Sequence, residues 1–296
     1  MYKNLNPASL GVSGRQSELI ELALTYGFRG LDLEAGEIVR RALTQGVEEA
    51  GRYIRSGKVK VGGWMLPVDL AAPDAGFAKE VERLHGLAEA ARQIGITYCT
   101  FEIKPFSNDL PYHENFERHR ERLIQVGEVL GQRAIRLGLA LKAAAAHRQD
   151  VAYQFIHRAE ELLTLIRNTN SPHVGLALDT WNWEVGGGGR DQLDELAGAQ
   201  LVSVSIADLP EDADISTVQD KQRLLPPDES IEQHGGLLRA FAQLTYAGPV
   251  TLRPHPSHLA RLTRDASVDL CSKKLDQIWS AAGLNKAGKI APPAPV

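Results

Sequence analysis

The chain of 296 residues is poor in cysteine, methionine and aromatic residues, and these scarcities exclude several classes of protein. Its two cysteines, Cys99 and Cys271, are too few for a disulfide framework or a cysteine-based metal cluster. No apolar run reaches the ~18–20 residues of a membrane-spanning helix, and no signal-peptide pattern opens the sequence. We therefore expect a cytoplasmic protein that keeps two reduced, structural thiols and does not associate with membranes.

The sequence also lacks an excess of positive charge. Lysine and arginine total 33 against 37 aspartate and glutamate, which gives a net charge of −4. Such a chain offers no basic surface for nucleic acid or for an anionic membrane. The hydrophobic fraction of 43% and the charged fraction of 24% are ordinary for a soluble globular protein.

What the sequence does contain is a regular alternation of short β-type runs with helical patterns, which is typical of βαβ units around a parallel sheet. Predicted helices cover 17–24, 36–55, 77–93, 114–130, 151–167, 190–197, 234–244 and 268–281. Predicted strands lie near 8–13 and at 30–34, 58–64, 97–103, 136–142, 174–179, 201–208 and 248–252.

Eight such units without an internal linker predict a single (β/α)8 TIM barrel domain over residues 1–283, followed by a Pro-rich C-terminal tail at 284–296. The alternative is a doubly wound open sheet. It is disfavoured because no G-x-G-x-x-G motif follows the first predicted strand. In a barrel, the active site lies at the C-terminal ends of the strands.

Five stretches at or near those strand ends carry a family resemblance: ELIELALTYGFRGLDLE, NFERHRERL, VGLALDTWN, VSVSIADLP and YAGPVTLRP. Their order and spacing resemble the sugar isomerase/epimerase family of xylose-isomerase-like barrels. The resemblance implies that the protein binds a small, carbohydrate-like molecule. It also implies proton abstraction next to a carbonyl group, with one divalent metal polarising the substrate oxygens and two carboxylates moving the proton.

The same resemblance implies four metal ligands: Glu after strand five, Asp after strand six, His on strand seven and Glu after strand eight. Asp179 retains the strand-six ligand, whereas Lys142, Ser205 and Arg253 occupy the other three positions. The fourth position of the family's D-x-x-H pattern is Asn182, and LLPPDESIE stands in place of a glycine-rich turn after strand seven.

These departures predict a degenerate site that holds no metal, and we expect no cofactor. Two like unit charges ~4 Å apart repel by ~4 kcal/mol at an effective dielectric constant of 20, so lysine and arginine oppose a bound cation. We expect Mn²⁺ or Mg²⁺ to bind only if the metal ligands are relocated, for example to Asp179 with His147 and His255.

We hypothesise that Lys142 or Arg253 substitutes for the metal by pairing with Asp179. Arginine also binds carboxylate or phosphate through two hydrogen bonds, so an anionic ligand fits this pocket. Glu102 is the candidate general base if its side chain faces the barrel interior. The candidate catalytic residues are therefore Glu102, Lys142, Asp179 and Arg253; an alternative is a structural ion pair that fills a defunct site.

Six further residues are candidates for ligand contact because they lie at or just beyond predicted strand ends: Glu34, Trp64, Trp181, Asn182, Ser205 and His255. Aromatic faces suit the C–H surfaces of sugars, although the tryptophans are equally suited to packing beneath loops. Glu34 has a salt bridge to a neighbouring arginine as its alternative role.

Three functions stay open. The first is a metal-independent sugar or sugar-acid isomerase or epimerase. The second is a non-catalytic barrel that binds a small ligand or serves as a partner subunit, and the third is a metal-dependent isomerase with relocated ligands. Barrels of this kind often associate through outer helices, so a homo-oligomer also stays open.

Overall fold

The protein was analysed as a computed structural model that describes residues 1–196 and 198–291. Its central sheet has eight parallel strands. They are β1 (Tyr2–Leu5), β2 (Gly30–Asp32), β3 (Lys60–Gly62), β4 (Tyr98–Glu102), β5 (Arg136–Ala140), β6 (Val174–Asp179), β7 (Leu201–Ile206) and β8 (Pro249–Leu252).

The strand order is β3-β2-β1-β8-β7-β6-β5-β4, so neighbours in sequence are neighbours in space and β8 pairs with β1. A parallel bridge between Met65 and Thr100 joins the chain just beyond β3 to β4. There the Leu66 N–H donates to the Thr100 carbonyl at 2.8 Å, and the Thr100 N–H donates to the Trp64 carbonyl at 2.9 Å. The sheet therefore curls into a (β/α)8 barrel, which confirms the predicted fold class.

Eleven α-helices of the described chain lie between and beyond the strands. They are α1 (Gln16–Thr25), α2 (Ala35–Gln45), α3 (Val47–Ala50), α4 (Arg52–Gly57), α5 (Asp74–Ile94), α6 (Tyr112–Gly131), α7 (Ala159–Thr169), α8 (Thr180–Val185), α9 (Arg190–Asp194), α10 (Ile231–Gln243) and α11 (Arg264–Ala281). The loops after β4 and β5 also pair, as a short antiparallel ribbon of Phe106–Ser107 with Tyr153–Gln154.

Helix α7 illustrates how sequence sets these boundaries. The Glu161 carboxylate accepts hydrogen bonds from the N–H groups of His157 and Arg158, both at 3.0 Å, and so satisfies free donors at the helix start. Leu162 and Ile166, four residues apart, are buried on one face. The helix ends at Asn170, whose left-handed φ of 47° turns the chain towards β6.

The apolar core lies between the barrel and its helices, while polar side chains occupy the interior near the strand C-termini. Residues such as Leu139, Leu178, Val204 and Val250 are fully buried, as expected for parallel strands covered on their outer face. The alternate positions carry small or polar residues that face inward. This alternation turns a set of polar side chains towards the barrel mouth, which is the end of the barrel where the C-terminal ends of the strands lie.

Several predicted elements differ from the structure. The first predicted strand near 8–13 is wrong: Ala8–Leu10 forms a 3₁₀ turn, and β1 lies earlier at Tyr2–Leu5. The predicted helix at 36–55 is three helices, because Gly46 and Gly51 interrupt it. The helix predicted at 151–167 begins only at Ala159, and α8 was not predicted.

Two predictions reach past the described residues. Position 197, the end of the helix predicted at 190–197, lies outside them, as do positions 292–296 of the predicted tail. The described part of that tail folds back, with an antiparallel bridge between Leu284 and Ile290 and a hydrogen bond from the Met1 ammonium to the Gly288 carbonyl at 3.1 Å. Within the described chain, no helix combines the length and apolarity needed to cross a membrane.

Candidate functional site

The barrel mouth is organised around Asp179, the last residue of β6. Asp179 pairs in register with Ser205 of β7, so the two side chains lie next to each other on the inner face. Asp179 is also the N-cap of α8, where its Oδ1 accepts the Asn182 N–H at 2.9 Å. A carboxylate at a helix N-terminus is stabilised by that hydrogen bond and by the helix dipole. The residue is only 8% exposed.

Arg223 is the ion-pair partner of Asp179, through Nη2 and Oδ2. Its guanidinium also lies 5.0 Å from the ring centroid of Trp181 and donates from Nε to the Arg253 carbonyl at 3.3 Å. The expected partners, Lys142 and Arg253, do not form this pair. The reason is that the long loop after β7 returns across the mouth and brings an arginine that does not lie at a strand end.

Residues 220–224 of that loop, here called the crossing segment, are held to both sides of the mouth. His147 Nε2 hydrogen-bonds to Asp220 Oδ2 at 2.7 Å, and His258 Nε2 to the Lys221 carbonyl at 2.8 Å. The His255 N–H donates to the Arg223 carbonyl at 2.9 Å. Backbone hydrogen bonds of 2.9 and 3.0 Å also join Leu224 to Asp208 at the end of β7. These bonds position Arg223 over Asp179.

Asp208 makes a second buried pair beside the crossing segment. Its Oδ1 lies 2.5 Å from Nε2 of His234 in α10, and the two side chains are 13% and 7% exposed. Glu184 of α8 lies close enough for its pKa to respond to both residues. Burial and the Asp208 charge raise the pKa of Glu184, and His234 opposes that shift. This cluster ties β7, α8 and α10 together at the side of the mouth.

Glu102 and Lys142 form an ion pair at the C-terminal ends of β4 and β5. Lys142 Nζ lies 2.9 Å from Glu102 Oε1, and the two side chains are 32% and 46% exposed. Glu102 pairs in register with Ala140, two residues before Lys142, so the ion pair lies on the inward face of β4 and β5. The Glu102 carboxylate is half-exposed and therefore accessible to a ligand.

Arg253 follows β8 and is exposed at the mouth. Within the described chain its guanidinium makes no hydrogen bond or ion pair, although its charge lowers the pKa of both Asp32 and Asp179. Arg253 therefore presents five N–H donors beside two carboxylates without being bonded to either one.

A polar layer closes the barrel floor beneath the mouth. Asn4 Nδ2 donates to Asp32 Oδ1 and to Thr251 Oγ1, both at 2.9 Å, and Asn6 Nδ2 donates to Asp32 Oδ2 at 2.8 Å. The layer requires glycine on β3, because a Cβ at Gly62 would overlap Asp32 and the Tyr98 hydroxyl. Asn4 and Asn6 thus fix the orientation of the Asp32 carboxylate.

The two interior aspartates differ in their electrostatics. Burial raises the pKa of Asp32 and outweighs the opposing hydrogen bonds from Asn4 and Asn6 and the charge of Arg253. Burial also acts to raise the pKa of Asp179, but the charges of Arg223 and Arg253 with the hydrogen bonds hold it below its usual range. Asp179 is therefore ionised and neutralised within the protein.

The structure places the other predicted ligand-contact residues as follows. Trp64 and Trp181 are 1% and 0% exposed, so both pack in the core instead of offering a ring to a ligand. Asn182 is buried, and its Oδ1 accepts the Ala143 N–H at 3.1 Å. Glu34 is exposed just before α2, Ser205 is half-buried beside Asp179, and His255 contacts Ser257.

Sequence reasoning missed Arg223, Asp32, Asn4 and Asn6. Strand alternation could have found Asp32, because it shares the inward face with Gly30 while the apolar Leu31 faces the helices. No short-range pattern identifies Arg223, since its role depends on the return of a long loop.

The family's metal can be tested against the side chains present. The four ligand positions that the sequence resemblance implies hold one carboxylate, one hydroxyl, one ammonium group and one guanidinium. The carboxylate, Asp179, is already bonded to Arg223. Within the described residues, no three histidine, cysteine, aspartate or glutamate side chains form a metal-ligand group. This donor set does not fit a divalent cation, which needs several oxygen or nitrogen donors with net negative charge.

Comparison with known proteins defines the family. The model of the xylose isomerase-like TIM barrel family matches residues 20–269, so the chain belongs to that family. No curated protein sequence matches it.

Solved structures share its fold over nearly the whole chain. A xylose isomerase domain protein from Alicyclobacillus acidocaldarius is 22% identical, with a TM-score of 0.83 over 95% of this chain and 99% of that one. The IolI protein described with a bound zinc atom is 15% identical, with a TM-score of 0.71 over 96% and 98%. D-psicose 3-epimerase with D-tagatose from Clostridium cellulolyticum H10 is 15% identical, with a TM-score of 0.68 over 95% and 99%.

Proposed function

We propose that the barrel mouth binds a small, anionic, sugar-like molecule and moves a proton next to its carbonyl group without a divalent metal. The observation that carries this proposal is the buried ion pair of Asp179 with Arg223. The family's retained metal-ligand carboxylate is thereby neutralised by a guanidinium group. Arg223 takes over the charge-balancing role that a cation has in a metal-dependent barrel.

The charges around the mouth support an anionic ligand. Asp179 is paired with Arg223 and Glu102 with Lys142, whereas Arg253 has no such partner among the described residues. A ligand carboxylate or phosphate can accept two parallel hydrogen bonds from the Arg253 guanidinium. Binding there would leave both existing ion pairs intact.

The Glu102–Lys142 pair supplies the groups that a proton transfer needs. The Glu102 carboxylate accepts the proton from the carbon next to a substrate carbonyl, and the C–H electron pair moves to form an enolate whose charge lies on the carbonyl oxygen. The Lys142 ammonium, 2.9 Å from Glu102, stabilises that developing oxyanion. Return of the proton from Glu102 to the former carbonyl carbon, together with transfer of the adjacent hydroxyl proton to the enolate oxygen, completes an isomerisation.

The names of two structural relatives support the sugar-like part of this proposal. One similar structure is D-psicose 3-epimerase with D-tagatose. A second similar structure is D-psicose 3-epimerase in the presence of D-fructose, 13% identical to this chain. We therefore propose ketoses and ketose acids or phosphates as the first compounds to test.

Solvent isotope exchange tests the proposal directly. The protein is incubated with ketoses, ketose phosphates and keto sugar acids in D₂O containing a metal chelator, and the C–H signals are followed by NMR. We expect deuterium to enter the carbon next to the carbonyl of an anionic compound, and expect Glu102→Gln to abolish this exchange. Exchange that occurs only after Mn²⁺ or Zn²⁺ is added would overturn the proposal.

A non-catalytic binding barrel is the second candidate. It is favoured by the ion pairs of Glu102 with Lys142 and of Asp179 with Arg223, because neither of these two carboxylates is unpaired. Calorimetric binding of an anionic sugar that depends on Arg253 but is accompanied by no deuterium exchange would select this candidate over the enzyme.

A further inference from the structure

A cavity lies at the opposite end of the barrel from the mouth. It has a volume of about 550 Å³, and its walls include the first residues of six strands. These are Tyr2, Lys60, Tyr98, Arg136, Leu201 and Pro249. The proposed catalytic groups all lie at the other ends of the strands, so this cavity is separate from the mouth.

The charges in this cavity are of one sign. Lys60 and Arg136 line it, and none of the described residues that line it is an aspartate or a glutamate. The charged side chains of this wall within the described chain are therefore both cations, in a protein with a net charge of −4. Cations that line a low-dielectric concave surface attract anions more strongly than the same cations on an open surface.

Neighbouring cations add to the positive electrostatic potential of the cavity. Partial burial, and to a lesser extent the charge of Arg29, lower the pKa of Lys60. Burial lowers the pKa of the Met1 ammonium group, and the nearby charges of Lys60 and Lys289 lower it further. A bound anion would relieve this mutual repulsion.

The two lining cations are held in place by different contacts. Lys60 Nζ lies 4.2 Å from the ring centroid of Tyr2, and no described carboxylate forms an ion pair with it. Arg136 donates from Nη1 to the Leu201 carbonyl at 2.9 Å. Both groups are therefore oriented at the cavity wall before any ligand arrives, which lowers the entropic cost of binding.

Two residues of the cavity wall have a left-handed backbone conformation. Among the described residues only five other than glycine have a positive φ, and two of them, Ala134 at 54° and Thr245 at 63°, line this cavity. A left-handed conformation is costly for a β-branched residue such as threonine. The carbonyl ends of α6 and α10 are satisfied by the turns that follow, for example by the Tyr246 N–H on the Phe241 carbonyl at 2.9 Å.

From the cavity, its two cations and its acid-free wall, we infer a binding site for a phosphate-type dianion, free or as the monoester of a small molecule. The site is not part of the reaction proposed for the mouth and stands independently of that function. A ligand bound there would contact the starts of six barrel strands and would therefore stabilise the fold.

Calorimetric titrations with inorganic phosphate and with glycerol phosphate test the site. We expect saturable binding to the wild-type protein, weakened at least tenfold by Lys60→Gln. Because Lys60 is exposed on its outer side, this variant should fold; Thr97→Asp, which places a carboxylate at the cavity wall, is a second variant expected to abolish binding. Tighter binding of the ester than of phosphate would identify a monoester ligand, and equal binding would identify phosphate itself.

Two matched variants locate the effect. Lys79→Gln removes the same charge from the exposed surface of α5 and should leave binding unchanged. Arg253→Gln removes the anion-binding group proposed for the mouth, so that only binding at the opposite end of the barrel is measured. The inference is overturned if the wild-type protein shows no saturable binding at millimolar phosphate, or if Lys60→Gln and Thr97→Asp bind as tightly as the wild type. Loss of binding in Arg253→Gln would also overturn it, because the anion would then occupy the mouth.

Discussion

The Asp179 carboxylate and the Arg223 guanidinium form an ion pair at the barrel mouth, with side-chain exposures of 8% and 12%. The pair joins the end of β6 to the crossing segment. Charge balance and stability at the mouth therefore depend on this contact.

Breaking the pair should destabilise the protein strongly. Removal of one partner leaves the other charge buried without compensation, and we expect Arg223→Met or Asp179→Asn to lower the free energy of unfolding by about 3 kcal/mol. The double variant should lose less than the sum of the two single changes, because no unpaired charge remains. Urea denaturation of the four proteins measures the coupling.

A surface pair provides the comparison for that cycle. Lys273 and Asp269 lie 2.6 Å apart with side chains 71% and 39% exposed. Solvent screens this pair, so Asp269→Asn should cost less than about 1 kcal/mol. Equal losses at the two sites would contradict the assignment of the Asp179–Arg223 pair as a buried interaction.

The stability contributed by Asp179 should depend on pH with a defined sign. Its pKa is lowered in the folded protein, whereas an unfolded aspartate titrates near ~3.9. The contribution is therefore present above about pH 4 and is lost as pH falls through the folded pKa. The difference in unfolding free energy between the wild type and Asp179→Asn should stay constant from about pH 7 to 5 and narrow below about 4.

Asp32 should show the opposite trend. Burial raises its pKa, so its contribution to stability is fully present below about pH 3.9 and is lost as pH rises through the folded pKa. Relative to the wild type, Asp32→Asn should become more stable as pH rises through this range. If Asp32→Asn and Asp179→Asn both gained stability relative to the wild type as pH rose, the opposite pKa shifts assigned to the two aspartates would be contradicted.

Glu102 should matter for chemistry far more than for folding. Its ion pair with Lys142 is half-exposed, so Glu102→Gln should change the unfolding free energy by less than about 1 kcal/mol. General-base catalysis is worth about 10²–10⁴-fold, and the variant should lose deuterium exchange by at least about a hundredfold. Measuring both the unfolding free energy and the deuterium exchange separates the two roles, because substitution of a purely structural residue would lower stability and activity together.

Arg253 should determine affinity for anionic ligands. Arg253→Gln should weaken calorimetric binding of a sugar acid or sugar phosphate at the mouth by at least about tenfold and leave a neutral sugar unaffected. Raised salt should reduce the wild-type affinity and have little effect on the variant, because the exposed guanidinium is screened. Equal loss for neutral and anionic sugars would show that Arg253 does not recognise the charge.

The alternation of strands and helices was sufficient to predict the barrel, since each strand end lies where hydrophobic periodicity changes. The first strand was misplaced because Ser9–Ser13 alternates like a strand, whereas β1 at Tyr2–Leu5 mixes lysine and asparagine with apolar residues. Asn4 and Asp32 are polar because they face the interior layer, and a polar residue within a strand of four weakens the apolar signal.

The site was predictable only to the extent that it lies at strand ends. Asp179, Glu102, Lys142 and Arg253 follow from the strand pattern, and Glu102 and Lys142 do meet at the mouth. Arg223 could not be inferred, because its position depends on long-range bonds such as that of Asp220 with His147, 73 residues away. Tertiary contacts of this kind leave no periodic signal in the sequence.

Metal content tests the central claim most directly. The protein is purified without chelators and analysed for bound metal by mass spectrometry, then titrated with Mn²⁺ and Zn²⁺ while its melting temperature is followed. A mouth balanced by Arg223 and Arg253 predicts no stoichiometric metal and no rise in melting temperature. One bound metal ion per chain that is lost in Asp179→Ala would contradict it and would establish relocated ligands.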